Sequence, residues 1–174
     1  MAEQAKNWED VKSYALDAED EIELLDAQTE CTLIWAGKDG WPMGVIVNFI
    51  YRDGRFWLTA SEERPRIASI RTDPRVSIAV TSKGSAITER RSITYKCTAH
   101  VHADRATLDR VLPEFAHAMR PGEPDKAEAF RAMLDSPGRV VLELVPVTRI
   151  GFDSAKMWKA SEAARPSDSP SAAH

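Results

Sequence analysis

The amino-acid sequence predicts a mainly β fold of the α+β class, an antiparallel β-barrel with flanking helices. Three observations favour this fold. The spacing of apolar residues changes from helical to every second residue near Cys31. Tight glycine-containing turns join the strand segments that follow, and helical segments are inserted at only a few places. About seven strands joined in this way are typical of a closed antiparallel barrel and not of a parallel sheet.

Residues 1–23 are predicted to form an acidic helical segment. Apolar residues recur from Trp8 to Leu25 with gaps of three and four, which is a helical spacing. The positions between them are rich in aspartate and glutamate. We expect one or two amphipathic helices whose acidic residues face solvent, and we favour this over a metal site or a partner site.

Residues 24–153 are predicted to form the barrel domain, and residues 154–174 a partly disordered tail rich in Ser, Pro and Ala. Turns at Lys38–Gly40 and Arg52–Arg55 separate the first three strands. In chain order, the predicted elements are strands Thr32–Ala36, Met43–Tyr51 and Phe56–Ser61, helix Ile67–Arg71, strands Val76–Val80 and Ile93–Val101, helices Asp104–Met119 and Pro124–Leu134, and strands Val140–Val145 and Thr148–Phe152.

Composition and charge exclude several classes of function. A net charge of −4 and a pI near 5.6 argue against a nucleic-acid-binding protein, because surfaces that follow phosphates need an excess of basic residues. The longest apolar runs are too short to cross a membrane, and the polar N-terminus has no signal-peptide pattern. Cys31 and Cys97 lie in apolar strand segments and are expected to be buried reduced thiols, which fits a cytoplasmic protein.

One short segment carries the candidate chemistry. Thr59 and Ser61 share a face of a predicted strand as it ends, and Arg64 and Arg66 follow at the start of a predicted helix. A helix N-terminus offers unpaired N–H groups and a positive dipole end, and arginine matches the geometry of phosphate. The segment is therefore a plausible cradle for a phosphomonoester. A surface turn with scattered arginines is an equally plausible alternative on these residues alone.

Asn48 lies between Ile46 and Ile50 on an otherwise apolar face of a predicted strand. A buried amide needs hydrogen-bond partners. Asn48 is therefore expected to be either a satisfied structural amide or a partner for the polar edge of a ring ligand.

His100 and His102 share a strand face, but no carboxylate or cysteine supports them at metal-ligand spacing, so no metal site is predicted.

The run FWLTASEERPRIASIRTDPRVSIAV, residues 56–80, resembles the FMN-binding split-barrel proteins related to pyridoxamine 5′-phosphate oxidase. Their usual form is an aromatic strand ending in Thr, a short basic stretch, a helix, and then Asp/Asn-Pro-Arg-Val before another strand. RSITYKCTAHVHAD, residues 91–104, also looks like a barrel strand of that family. The resemblance covers roughly Leu24 to Phe152, and it implies an antiparallel split β-barrel that binds FMN as a homodimer.

The resemblance also implies roles for individual residues. Thr59 and Ser61 would contact the phosphate or ribityl end of FMN. Arg66 stands where the family commonly has Lys or Arg on the phosphate, and Arg64 would lie close by. Asn48 would line the edge of the isoalloxazine ring, and flavin would lie at the subunit interface. Candidates to close the pocket from the second subunit are Lys96 and Trp158.

Three departures from the family pattern bear on function. Arg66 replaces the common Lys, Cys97 replaces a common Gly, and Lys159-Ala160 follow Trp158 where true pyridoxamine phosphate oxidases have Trp-x-Arg. The chain is therefore expected to be a flavin-dependent oxidoreductase acting on a different small-molecule substrate. No catalytic acid or base is singled out.

Two alternatives stay open. An F420-dependent reductase would need a longer basic groove for the acidic tail of that cofactor, which Arg64, Arg66 and Arg71 could begin. The second alternative is a flavin-binding stress or storage protein without turnover.

Overall fold

The computed structural model describes residues 11–163, which form seven strands and five α-helices. The strands are β1 Glu30–Ala36, β2 Pro42–Asn48, β3 Ile50–Arg52, β4 Arg55–Ser61, β5 Arg75–Thr81, β6 Arg91–His102 and β7 Arg139–Asp153. The α-helices are α1 Ala18–Ala27, α2 Pro65–Thr72, α3 Arg105–Met119, α4 Pro124–Leu134 and α5 Ser154–Ala163, and a 3₁₀ turn spans Val11–Tyr14. The mainly β, antiparallel split-barrel prediction is confirmed.

All seven strands belong to one antiparallel sheet with the order β2-β1-β5-β6-β7-β4-β3. The two end strands, β2 and β3, are consecutive halves of one extended segment. β2 pairs with β1 at one end of the sheet, and β3 pairs with β4 at the other. The sheet therefore curls until its two ends meet in the same segment, and this encloses the main core.

The predicted strand Met43–Tyr51 is wrong as a single uninterrupted strand. It breaks at Phe49, whose backbone N–H donates to the carbonyl of Thr29 (2.9 Å) and whose ring is fully buried. Packing of this ring against Phe56 (5.6 Å between centroids) draws the chain into the barrel. The change of partner from β1 to β4 takes place at this residue.

The two predicted strands Val140–Val145 and Thr148–Phe152 form one strand instead, β7. Pro146 lies between the two predicted strands, and proline cannot donate to a β-ladder. Here Pro146 lies opposite Cys97 at an irregularity where the β6–β7 register shifts. Such a bulge tolerates proline within a strand, so the ladder continues from His102↔Val141 to Arg91↔Asp153.

Helices close the barrel and cover part of its outside. The structure has a helix at the predicted place, α2, and its Ile67 and Ile70 are buried in the main core. A second core lies on the outer side of β4 and β7, where Trp57 and Val141 pack beneath α3. No helix within residues 11–163 is long and apolar enough to cross a lipid bilayer.

The acidic helix α1 is fastened to the barrel by ion pairs. Asp20 and Glu23 accept from the Arg91 guanidinium (3.3 and 2.5 Å). Glu21 pairs with Arg149 and accepts from the Tyr95 hydroxyl. The expectation of a solvated acidic face is therefore wrong for Asp20 and Glu21, whose side chains are 26% and 14% exposed.

Both chain ends extend past the described residues. Trp8, part of the predicted helical stripe, and the Ser/Pro-rich residues 164–174 lie outside them. The predicted tail begins with a helix, α5, which the sequence analysis did not anticipate.

Cys31 and Cys97 are buried, as expected, and burial raises the pKa of each thiol to about 12.

We predict that Arg91→Gln lowers the free energy of unfolding by about 1–3 kcal/mol, because two carboxylates of α1 lose a mostly buried charged donor. Urea unfolding at neutral pH measures the change, and faster amide exchange should appear in α1. Arg90→Gln is the matched control, since it makes the same charge change one residue away, and it should shift stability by no more than about 0.5 kcal/mol. Equal effects of the two substitutions would contradict the proposed docking of α1.

Candidate functional site

The place where β2 parts from β4 forms a gap in the barrel wall, which we call the split. β3 pairs with β4 only from Arg55 to Trp57. From Leu58 to Ser61, the edge of β4 that faces away from β7 has no strand partner within the described residues. Asn48, the last residue of β2, pairs with Glu30 of β1, and two residues later Ile50 pairs with Trp57 of β4. The split thus brings together residues that are distant in the sequence.

Thr59 and Ser61 both point to the outer side of the barrel, because the intervening Ala60 is in the core. Both hydroxyl-bearing residues are half-buried. The Thr59 hydroxyl donates to the carbonyl of Val140 at 3.3 Å. Ser61 lies directly across from Arg139 on β7. The strand therefore ends with two hydroxyls on one face, as predicted.

Helix α2 begins directly beyond this strand end. Glu62 N–H donates to the carbonyl of Gly138 (2.7 Å) and Arg64 N–H to that of Ser61 (3.1 Å), which fixes the short connection. Arg64 occupies the N-cap position, and no side chain caps the helix. The positive end of the helix is consequently open to an anion.

Three arginines surround this helix start without a counter-ion. Within residues 11–163, no carboxylate lies within 4.0 Å of the guanidinium groups of Arg64, Arg66 or Arg139. Burial and the charge of Arg64 lower the pKa of both Arg66 and Arg139. The Nε–H of Arg66 is buried and has no hydrogen-bond partner. The arrangement fits a doubly charged anion such as a phosphomonoester.

Arg139 is the residue of this cluster that the sequence analysis missed. Its Nε donates to the carbonyl of Leu134 (2.6 Å) and its Nη2 to the Ser136 hydroxyl (3.1 Å), so the side chain is held in place. Residues Ser136-Pro137-Gly138 connect the end of α4 to this arginine. Only the β4–β7 register, which the sequence does not reveal, places Arg139 across from Ser61.

Asn48 reaches the split but is not buried. The expectation of a buried amide is wrong, because β2 is an end strand and its outer face lacks a covering element in the described structure. The side-chain amide donates to the carbonyl of Thr29 at 3.3 Å. Its oxygen has no partner among the described residues, and so it stays available to a ligand.

Lys96 and Trp158 lie away from the split in this chain. Lys96 is exposed on the outer face of β6, in register with Ser77 and Thr148. Trp158 lies on α5, beyond the end of β7 opposite to the one that carries Arg139. A single chain therefore does not bring these two residues to the phosphate cradle.

A comparison with protein-family models matches residues 19–149 to the pyridoxamine 5′-phosphate oxidase family, which is most of the chain and includes the split. This chain belongs to the pyridoxamine 5′-phosphate oxidase family. No curated protein matched the sequence.

Solved structures share the fold of this family member at low sequence identity. The conserved hypothetical protein Rv2991 of Mycobacterium tuberculosis is 19% identical, with a TM-score of 0.71 over 92% of this chain and 96% of that one. A FAD-binding protein of Mesorhizobium loti is 20% identical, with a TM-score of 0.57 over 80% and 96%. An F420 reductase is 17% identical, with a TM-score of 0.50 over 73% and 93%. These likenesses show the fold alone.

This pyridoxamine 5′-phosphate oxidase family member also buries a charged cluster beside the split, on the outer face of β7. Glu143 is 7% exposed and accepts from Arg55 and from Nε2 of His102 (2.8 Å). His102 is thus engaged with a carboxylate. Among residues 11–163, no group of three potential ligands could hold a metal ion.

We predict that Glu143→Gln lowers stability more at pH 6 than at pH 3. Burial opposes ionisation of Glu143, but hydrogen bonds from His102 and Arg55 outweigh it and hold the pKa of the carboxyl below its ordinary 4.5. The stabilisation is therefore complete above about pH 4.5 and is lost as the pH falls through the lower folded-state pKa. Urea unfolding at pH 6 should give the variant a free energy of unfolding that is lower than that of the wild type by about 2 kcal/mol or more.

Glu128→Gln is the control for this prediction. Glu128 also pairs with an arginine, Arg131 at 2.7 Å, but its side chain is 62% exposed, so its removal should have a much smaller effect. If Glu143→Gln lowered the free energy of unfolding by the same amount at both pH values, this would contradict the role given to the ionised carboxylate of Glu143.

Proposed function

We propose that this chain is a cytoplasmic FMN-binding oxidoreductase that acts as a homodimer on a small-molecule substrate. The observation that carries the proposal is the cluster of Arg64, Arg66 and Arg139 around the start of α2, which has no counter-ion in the described structure. A phosphomonoester supplies the missing charge and the acceptor for the orphaned Nε–H of Arg66. FMN, the cofactor that the family resemblance implies, ends in a phosphomonoester.

The residues at the split fit FMN along its length. The three arginines and Ser61 would hold the phosphate, Thr59 the ribityl chain, and Asn48 an edge of the isoalloxazine ring. The order of these residues follows the edge of β4 from the helix start towards β2. FMN, when bound, supplies the electron-transfer chemistry, and the chain supplies binding and orientation.

The exposed outer face of the sheet supports the homodimer. Paired residues point to the same side of a sheet, so the pairs between β2, β1, β5, β6 and β7 set Ile46, Thr32, Ala79, Thr94 and Ile150 in one outer row. Ile46 and Ile150 are 73% and 71% exposed. Exposed isoleucines at both ends of a row whose middle residues are half-buried favour an interaction surface, and Ile46 lies two positions from Asn48 on β2. A second copy on this face could bring its Lys96 towards the flavin, since Lys96 is exposed on the same outer face.

The distribution of charge supports FMN over F420. F420 would need a longer basic groove for its acidic tail, which Arg71 could help to begin together with Arg64 and Arg66. Arg71 instead pairs with Glu62 at 2.7 Å, so the basic surface does not extend along α2. The third arginine of the cluster, Arg139, lies on the other side of Ser61. The cluster is compact, as one phosphate requires.

We predict that the purified protein binds FMN and that Arg66→Gln weakens FMN binding by about 10- to 100-fold, the effect of losing a charged hydrogen bond. Visible absorption, mass analysis of the released compound, and titration of FMN into the stripped protein measure this. Riboflavin, which lacks the phosphate, should bind the wild type and the variant equally. Arg71→Gln, on the same helix but paired with Glu62, is the matched control and should leave FMN affinity unchanged.

Three outcomes would count against the proposal. An FMN affinity unaffected by Arg66→Gln would remove the phosphate assignment, and release of F420 would replace the cofactor. Failure of both NADH and NADPH to reduce the bound flavin would favour a binding protein without turnover.

We predict that Ile46→Lys converts the dimer to a monomer and weakens FMN binding, because a charge within the proposed interface is left without a partner. Sedimentation velocity and FMN titration measure the two effects. Met133→Lys is the control, since Met133 is 63% exposed but lies on α4, away from the outer row. A monomeric wild-type protein with full FMN affinity would contradict the interface.

A further inference from the structure

We propose that the cavity between α5 and the connection from β5 to β6, residues 82–90, is a binding site for a small aromatic anion and is separate from the split. The cavity has a volume of about 740 Å³. It meets the general requirement for ligand sites, an apolar wall with a few convergent polar groups. No residue in it except Trp158 was considered for function on the sequence.

The connecting segment that forms one wall is held rigidly. Ser82 is 6% exposed, and its hydroxyl donates to the carbonyl of Glu89 (2.6 Å) and accepts from Arg91 N–H (3.0 Å). The Ser85 hydroxyl donates to the Ser82 carbonyl (2.8 Å). From outside the segment, the Gln28 amide donates to the carbonyls of Thr81 and Lys83 (2.6 and 2.9 Å). The wall is therefore preformed, which lowers the entropic cost of binding.

The same wall carries uncompensated positive charge. Lys83 and Arg90 line the cavity, and neither has a carboxylate within 4.0 Å among residues 11–163. Arg91, the third basic residue of the lining, is already paired with Asp20 and Glu23. The segment's acidic residue, Glu89, accepts a hydrogen bond from the Thr88 hydroxyl. Lys83 and Arg90 are thus free to bind a carboxylate, sulfonate or phosphate.

The opposite wall is apolar and aromatic. It is formed by Phe152 at the end of β7 and by Met157 and Trp158 of α5. The Trp158 side chain is 61% exposed although it borders the cavity. An exposed indole beside a thioether and a phenyl ring offers a stacking surface for a flat ring. The two walls together select a ring that carries a negative charge.

The cavity is distant from the split. Phe152 and Arg139 are on the same strand, 13 positions apart (152 − 139), which is on the order of 40 Å of strand. This length exceeds that of an FMN molecule. One FMN bound at the arginine cluster of a chain therefore cannot reach the cavity of that same chain.

Calorimetric titration of indole-3-acetate into FMN-saturated protein tests the site. We expect binding to the wild type, with tryptophol, the neutral analogue, at least about tenfold weaker because it lacks the charged partner. Trp158→Ala and the double substitution Lys83→Gln with Arg90→Gln should each weaken indole-3-acetate binding at least about tenfold. Arg120→Gln is the control and should not change it, although Arg120 also lies over an aromatic ring, that of Phe130.

Each opposite result overturns the proposal in a distinct way. Absence of indole-3-acetate binding by the wild type would exclude an aromatic anion as the ligand. Equal affinity for tryptophol would exclude the role of the two cations. Binding that appears only when FMN is removed would show that the cavity belongs to the flavin site of a second copy. The supporting result is retained indole-3-acetate binding in Arg66→Gln, in which FMN binding is weakened.

Discussion

Barrel closure through a single extended segment is the constraint on which the rest of the structure depends. Residues 42–52 must pair with β1 at one end of the sheet and with β4 at the other. One segment cannot do both along its whole length, so it changes partner at Phe49, the residue buried in the core. The change leaves the last residues of β4 without a second neighbour. The candidate site is therefore a consequence of how the barrel closes, not a pocket added to a finished fold.

The positive charge at this gap favours the binding of an anion. Like charges held close together destabilise a folded protein, and burial adds to the unfavourable term. Arg66 and Arg139 are half-buried near the exposed Arg64, and burial together with the charge of Arg64 lowers the pKa of both. A ligand that neutralises them stabilises the folded chain in addition to being bound. The like charges at the split therefore lower the stability of the fold locally and favour the binding of an anion.

Local patterns were sufficient for most of the fold and for part of the site. Alternation at Ile93–Val101 and the turn residues around Gly40 and Gly54 predicted the strands, because side-chain direction and positive φ depend on neighbouring residues only. The break at Phe49 and the continuation of β7 through Pro146 depend on which strands pair, and no local pattern contains that information. Arg139 was missed for the same reason, since register alone sets it across from Ser61.

The acidic helix α1 shows how a chain of net charge −4 can keep a basic site. Carboxylates of α1 are paired with Arg91 and Arg149, which lie at the end of the β6–β7 ladder opposite to Arg139. These acidic residues are therefore both neutralised and kept away from the arginines of the split. Because electrostatic attraction between exposed charges weakens beyond about 8–10 Å at physiological ionic strength, an approaching phosphate at the split responds to the local arginines and not to the net charge. Net charge argued against nucleic acid as a partner, but the separation of charge along the barrel still allows a small anion to bind at the split.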